Sequence, residues 1–186
     1  MAFIDTPKEP EFFDANRAPA GHIPNFVQTF AARPAVYDAW KQLNGAIKES
    51  MDLRRYELAT LAAATALKSS YCSLAHGQVL ADKFYTAEEV AALVGEPAND
   101  PTDRAVMAFA RKVALAADTV TQADVDELKA IGLTDADVLD VALAAAARAF
   151  FSKTLDATGT QPDSAFNGLP ETLRSALTVG RPIYSG

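Results

Sequence analysis

Two alanine-dense stretches constrain this chain more than anything else in it: "ELATLAAATALKS" (57–69) and "DVALAAAARAFF" (140–151). Alanine is the strongest helix former, and neither stretch has the two-residue alternation of a half-buried strand. Alanine fills most faces of both. A helix that is apolar nearly all round is a buried one, and small side chains let its neighbours approach closely. Elsewhere β-branched residues are scattered and no run alternates with period two. The expected fold class is therefore all-α.

Caps and periodicity divide the rest into about seven to nine helices. The stretch 33–50 carries Val36, Trp40, Leu43 and Ile47 at helical spacing, with Pro34 near its first turn. The stretch 52–69 follows, with Leu53, Tyr56, Leu61 and Leu67 as its larger apolar positions. A third helix covers 69–84, with Ser69 or Ser70 as N-cap. Thr86 and Glu89 have capping-box spacing ahead of 86–94. Further helices are expected over 102–118, capped at Thr102, over 121–132 and over 134–159, with Gly132 and Gly159 as C-caps. Residues 1–24, with four prolines, read as an extended arm ending in the turn "GHIPN". Residues 160–186 form a tail with one more short helix, and the whole is expected to be one domain, 1–186. The two alanine-rich segments, 58–72 and 139–151, echo each other. A duplicated helical pair and a coincidence of composition both account for that.

Composition narrows the function. The 186 residues are 49% hydrophobic and 22% charged, with a net charge of −7. That suits a soluble domain with a sizeable core. An acidic surface argues against nucleic acid and against anionic membranes as partners. The single cysteine excludes an internal disulfide. No apolar run reaches membrane-spanning length without a charge. The first residues lack the basic and apolar regions of a signal peptide, so the expected compartment is the cytoplasm.

That cysteine, Cys72, lies in "SSYCSLAHG" with His76 four residues on, one helical turn away on the same face. Cysteine attacks only as the thiolate. A place in the first turn of a helix favours an anion, and His76 can take the thiol proton and hold it as imidazolium. Glu57, on the preceding helix, can fold against the ring and fix its tautomer. Each residue also has a plain reading. A lone cysteine in an alanine-rich protein packs as a small hydrophobe, Glu57 can pair with Arg54 or Arg55, the serines can be caps, and Tyr71 can be a packing residue. Cys72, His76, Glu57 and the remote His22 are too few and too scattered to claim zinc, so no metal and no cofactor are expected.

From Glu57 through "ATLAAATALKSSYCSLAH" the sequence resembles the AhpD-like family, which includes the carboxymuconolactone decarboxylases. The pattern of its alkylhydroperoxidase branch is a glutamate, twelve residues, CxxC, three residues and a histidine. Glu57 falls on the glutamate, Ser69 on the first cysteine, Cys72 on the second and His76 on the histidine. "GHIPNFVQTFAARPAVYDAW" and the segment 120–159 resemble the peroxidase-related subgroup, so the likeness covers about 21–160. It implies an all-helical AhpD-like bundle that assembles into homo-oligomers (dimer, trimer or hexamer) and a thiol-dependent peroxidase site. In the family the second cysteine attacks the peroxide, aided by histidine and glutamate. The first cysteine then resolves the sulfenic acid, and a lipoylated partner reduces the disulfide. With Ser69 in the resolving position that disulfide cannot form.

The expected function is a one-cysteine hydroperoxidase. Cys72 is the nucleophile, His76 the base and Glu57 the orienting carboxylate, with Ser69 and Tyr71 bonding the departing oxygen. Its partners are a small hydroperoxide and an external thiol. Two alternatives stay open: a decarboxylase-like acid–base enzyme using His76 and Glu57, and a non-catalytic redox-sensing helical oligomer.

Overall fold

The computed structural model describes residues 2–186; residue 1, the start of the expected arm, lies outside the described residues. Ten α-helices and two short 3-10 turns make up its regular structure, and there is no strand among the described residues. The helices are α1 (Pro10–Ala15), α2 (Asn25–Phe30), α3 (Pro34–Glu49), α4 (Leu53–Ala66), α5 (Ser70–Lys83), α6 (Ala87–Gly95), α7 (Pro101–Ala116), α8 (Gln122–Ala130), α9 (Asp135–Ala157) and α10 (Glu171–Leu177).

Helix α4 is the axis of the bundle. Every residue from Tyr56 to Ala64 is buried, and α5, α7 and α9 pack around it. The alanines explain this: with a methyl group on most faces, three neighbouring helices can all come close. Leu58 and Leu61 are completely buried, each contributing about 1.5–3 kcal/mol by leaving water. Helix α9, the other alanine-rich segment, packs on α4, α7, α3 and α5. At one end of the bundle the rings of Phe26, Phe30, Tyr37, Trp40 and Phe151 pack on one another, with Trp40 and Phe151 stacked at 4.9 Å.

Local sequence sets most helix starts. Asp52, Thr86 and Thr134 accept hydrogen bonds from the backbone three residues on. Thr86 with Glu89 and Thr134 with Asp137 form capping boxes. Gly132 and Gly159 adopt φ of 95° and 73°, as C-caps require.

Four local expectations are corrected. Helix α7 starts at Pro101, capped by Asp100 rather than Thr102. Proline is favoured at the first helical position, and the carboxylate of Asp100 reaches the amide of Asp103. The N-terminal arm is not uniformly extended, since Pro10–Ala15 forms a helical turn and Phe12 packs edge-on against Tyr37. Helix α2 occupies a stretch in which no helix is expected. On α3, Val36 and Leu43 are exposed while Tyr37, Trp40 and Ile47 face the core. Trp40 and Ile47 of the expected positions are buried, and Tyr37 joins them in place of Val36 and Leu43.

Candidate functional site

The expected site residues lie on α4, on α5 and in the turn between them. Glu57 is buried in the second turn of α4, only 1% exposed. Cys72 is the third residue of α5 and 2% exposed. His76 follows one turn later, its side chain 12% exposed. The hairpin between the helices brings Glu57 Oε2 to 2.5 Å from His76 Nδ1. The other carboxylate oxygen, Oε1, lies 3.4 Å from Lys48 Nζ on α3. Glu57 therefore pairs with His76 and Lys48, not with Arg54 or Arg55, which engage Asp103 and Asp137.

The charge state of the pair follows from its surroundings. Burial pushes the His76 pKa down, and the positive charge of Arg148 adds to that; Glu57 opposes both, and the result is about 4. Burial pushes Glu57 upward, but the hydrogen bond from His76 and the Lys48 ammonium outweigh it and hold the carboxyl below its ordinary value. At neutral pH the pair is thus an ionised Glu57 and a neutral His76. With Nδ1–H donated to Glu57, the Nε2 of His76 is the unprotonated nitrogen. The expected imidazolium beside the thiolate is therefore replaced by a neutral ring.

The sulfur has a different cationic neighbour. Arg148 Nη1, on α9, donates to Cys72 Sγ at 3.5 Å. Arg148 is 5% exposed, and its Nη2 lies 3.5 Å from both Tyr56 Oη and Asn44 Oδ1. Its carbon sits 5.6 Å from the ring centres of Trp40 and Phe151, within cation–π reach. Arg148 did not figure among the expected residues. Its signal in the sequence is a single arginine inside "AAAARAFF", in a helix that is otherwise apolar on most faces. A charge in such a helix needs a buried partner.

The remaining candidates occupy different positions. Ser69 holds the N-cap position of α5, but its fully buried hydroxyl makes no capping bond and faces the Asp156 carboxyl instead. Tyr71 turns its hydroxyl to Asp163, which also accepts from the backbone amide of Asn25, so its oxygen is engaged at the chain's C-terminal third rather than with the sulfur. Burial and the Asp163 carboxylate push its pKa far upward. Ser70 accepts a 2.8 Å hydrogen bond from the amide of Gly180, tying the tail to the start of α5. No group of three or more His, Cys, Asp or Glu side chains that could hold a metal occurs among the described residues.

The model of the carboxymuconolactone decarboxylase family matches residues 34–113, the span that holds Glu57, Cys72 and His76. Over those residues the chain is similar to that family. The fold around them is AhpD-like. A peroxidase-related protein from Ralstonia eutropha JMP134, described as an alkylhydroperoxidase AhpD core, superposes with a TM-score of 0.78 at 24% identity, over 89% of this chain and 94% of that one. A peroxidase-related protein from Silicibacter sp. TM1040 gives 0.78 at 20% identity, over 90% and 94%. A cysteine-to-alanine variant of the debrominase Bmp8, solved with 2,3,4-tribromopyrrole, gives 0.74 at 18% identity, over 92% and 96%. Among curated proteins none matches the sequence. No helix among the described residues is long and apolar enough to cross a membrane.

Proposed function

We propose that the protein reduces hydroperoxides with Cys72 as its only reacting thiol. The observation that carries this reading is the placing of the sulfur in the first turn of α5, one turn before a neutral His76 that Glu57 backs through a 2.5 Å hydrogen bond. Helix N-termini favour an anion, and a ring with one free nitrogen can carry a proton away from a thiol and back to a leaving oxygen. The peroxidase-related names of the structural neighbours agree with this reading.

In the proposed reaction the thiol proton leaves Cys72, with His76 Nε2 as its carrier. The sulfur attacks the terminal peroxide oxygen, an S–O bond forms and the O–O bond breaks. The departing alkoxide takes up the proton, so thiol plus hydroperoxide gives sulfenic acid plus alcohol. Ser69 stands where a resolving thiol would be, and the chain has no second cysteine. Reduction therefore falls to an external thiol: two thiol molecules return Cys72 to its reduced form, yielding their disulfide and water. The cytoplasm, a reducing compartment, supplies such thiols. The working form is a homo-oligomer built on the exposed apolar face of α3 and α9.

The test combines Cys72→Ser with trapping of sulfenic acid after one equivalent of an alkyl hydroperoxide. The wild type should form the adduct and turn over repeatedly with a small thiol, and the variant should do neither. No adduct in the wild type removes the proposal. One observation favours a second reading: a neutral His76 backed by an ionised Glu57 is itself an acid–base pair. An acid–base enzyme of the decarboxylase kind would keep its activity in Cys72→Ser.

A further inference from the structure

We infer that Arg148 is a catalytic residue of this site: its guanidinium supplies the positive charge that holds the Cys72 sulfur as thiolate, the thiol proton having passed through His76 to solvent, and the uncharged His76 relays a proton from solvent back to the departing oxygen. The inference deepens the hydroperoxidase reading and rests on it for the later chemistry, but the ionisation can be measured by itself.

The geometry gives this assignment three supports. First, Arg148 Nη1 is the only group that hydrogen-bonds the sulfur among the described residues, at 3.5 Å. Second, the arginine has no carboxylate. Its polar neighbours are the sulfur, the Tyr56 hydroxyl and the Asn44 amide oxygen, and it forms no salt bridge among the described residues. A guanidinium keeps its charge in any protein environment, and a buried one without a carboxylate is costly unless an anion meets it. Of the atoms within its reach, the sulfur is the one that can supply that anion. Third, the stacked rings of Trp40 and Phe151 lie beside the guanidinium, each ring centre 5.6 Å from its carbon, so the charge is packed against them within the core.

The neighbouring charged and titratable side chains have partners of their own, Asp156 on α9 among them, which faces Ser69 and Arg181. On α3, the charge of Lys48 is directed to Glu57 Oε1. On α4, Glu57 is taken by His76 and Lys48, and the Tyr56 hydroxyl donates to Asn44 at 2.8 Å. On α5, His76 is neutral and Tyr71 is bonded to Asp163. Arg148 on α9 is left as the uncompensated cation. Its Nε–H, moreover, is buried with no acceptor in the protein. In the reaction this spare donor can bond the departing peroxide oxygen, so that one side chain serves both the attacking and the leaving atom.

The experiment uses the full chain. Wild-type protein should show ultraviolet thiolate absorbance at neutral pH that disappears in Cys72→Ser. Arg148→Met should lower the rate of iodoacetamide alkylation at neutral pH by about tenfold or more, the equivalent of one pH unit. At alkaline pH, where the thiol ionises without help, the two rates should converge. That convergence separates a charge effect from a packing defect, which would change the rate at every pH. Arg148→Lys, which keeps the cation, should fall between the two. Absence of thiolate absorbance in the wild type, or wild-type alkylation in Arg148→Met, overturns the assignment. The first of these needs no variant to fold. Arg148-dependent thiolate in a protein that forms no sulfenic acid with peroxide would uphold Arg148 and end the hydroperoxide reading.

Discussion

Glu57 and His76, nineteen positions apart on two consecutive helices, share a 2.5 Å hydrogen bond that sets the tautomer of the imidazole one turn after Cys72. With Nδ1–H given to the carboxylate, Nε2 is the nitrogen left to move protons. The bond is almost sealed from water, since Glu57 is 1% exposed and the His76 side chain 12%. Its strength therefore depends on both partners being in place, and losing one leaves the other buried and unmatched.

Glu57→Gln tests that dependence. The amide can present its NH2 group to His76 as readily as its oxygen, so the tautomer is no longer fixed. Lys48 also loses its partner. Peroxide turnover is expected to fall by about a hundredfold, the lower end of general acid–base contributions. Stability should fall by about 1–3 kcal/mol, the cost of a broken buried hydrogen bond. Steady-state kinetics with a small thiol and urea unfolding at neutral pH measure the two effects.

The depressed His76 pKa predicts how stability changes with pH. In the unfolded chain the ring takes up a proton near 6.5, but in the folded protein only near about 4. Between those values the unfolded state binds more protons, so stability rises with pH across the window. The contribution is complete above 6.5 and is lost as pH falls toward 4. A displacement of that size corresponds to about 3 kcal/mol. Glu57, held below its ordinary value against the push of burial, acts in the same direction at lower pH: its contribution is present above 4.5 and lost on further acidification. Urea midpoints taken from pH 7 to pH 4 should fall, and His76→Asn should flatten the decline. A midpoint that stays level in the wild type contradicts the assigned charge states.

At Gly180 the tail meets the start of α5 at close range. A Cβ there would stand 1.9 Å from the carbonyl oxygen of Lys68, a backbone atom that cannot rotate away. Lys68 itself adopts φ 56°, which leaves that turn little freedom to shift. Gly180→Ala must therefore displace the tail and break the Gly180–Ser70 hydrogen bond. A loss of about 1–3 kcal/mol is expected, as for other overpacked sites. Thermal unfolding measures it. Faster Cys72 alkylation should accompany it, since Ser70 begins the helix that carries the sulfur.

The reach of the sequence differs between parts of the molecule for physical reasons. Helix starts set by Thr86 and Thr134 were legible because a cap is a local interaction spanning three residues. So was the Glu57–His76 pairing, where a short hairpin fixes the geometry and the spacing records it. Arg148 comes from a helix 76 positions beyond Cys72, and only the packing of α9 against α5 brings them together. Tyr71 shows the same limit: its neighbour Cys72 is close in sequence, but its hydroxyl is claimed by Asp163, 92 positions away. On α3 the periodicity of Val36 and Leu43 was correctly helical. Periodicity does not say where the edge of the buried stripe falls: the core kept Trp40 and Ile47 of the expected positions and took Tyr37 in place of Val36 and Leu43.

The stripe left outside leads to the last prediction. Val36 and Leu43 on α3 and Leu139, Leu143 and Phe150 on α9 are all exposed, and the two helices pack together, with Trp40 of one 5.5 Å from Phe150 of the other. On α9 these residues fall at intervals of four and seven, a single helical face. Apolar side chains gathered on adjoining helices, rather than scattered singly, mark a surface that another protein covers. In the proposed oligomer a second copy covers it. A charge placed in such an interface must be stripped of water or break the contact. Leu143→Asp, and more strongly Leu43→Asp combined with Leu143→Asp, should shift the protein to a smaller species in sedimentation or light scattering. Neither position belongs to the core, so the helical circular dichroism of the separated subunit should be retained. A wild-type protein that sediments as a monomer at every concentration would contradict the proposed assembly.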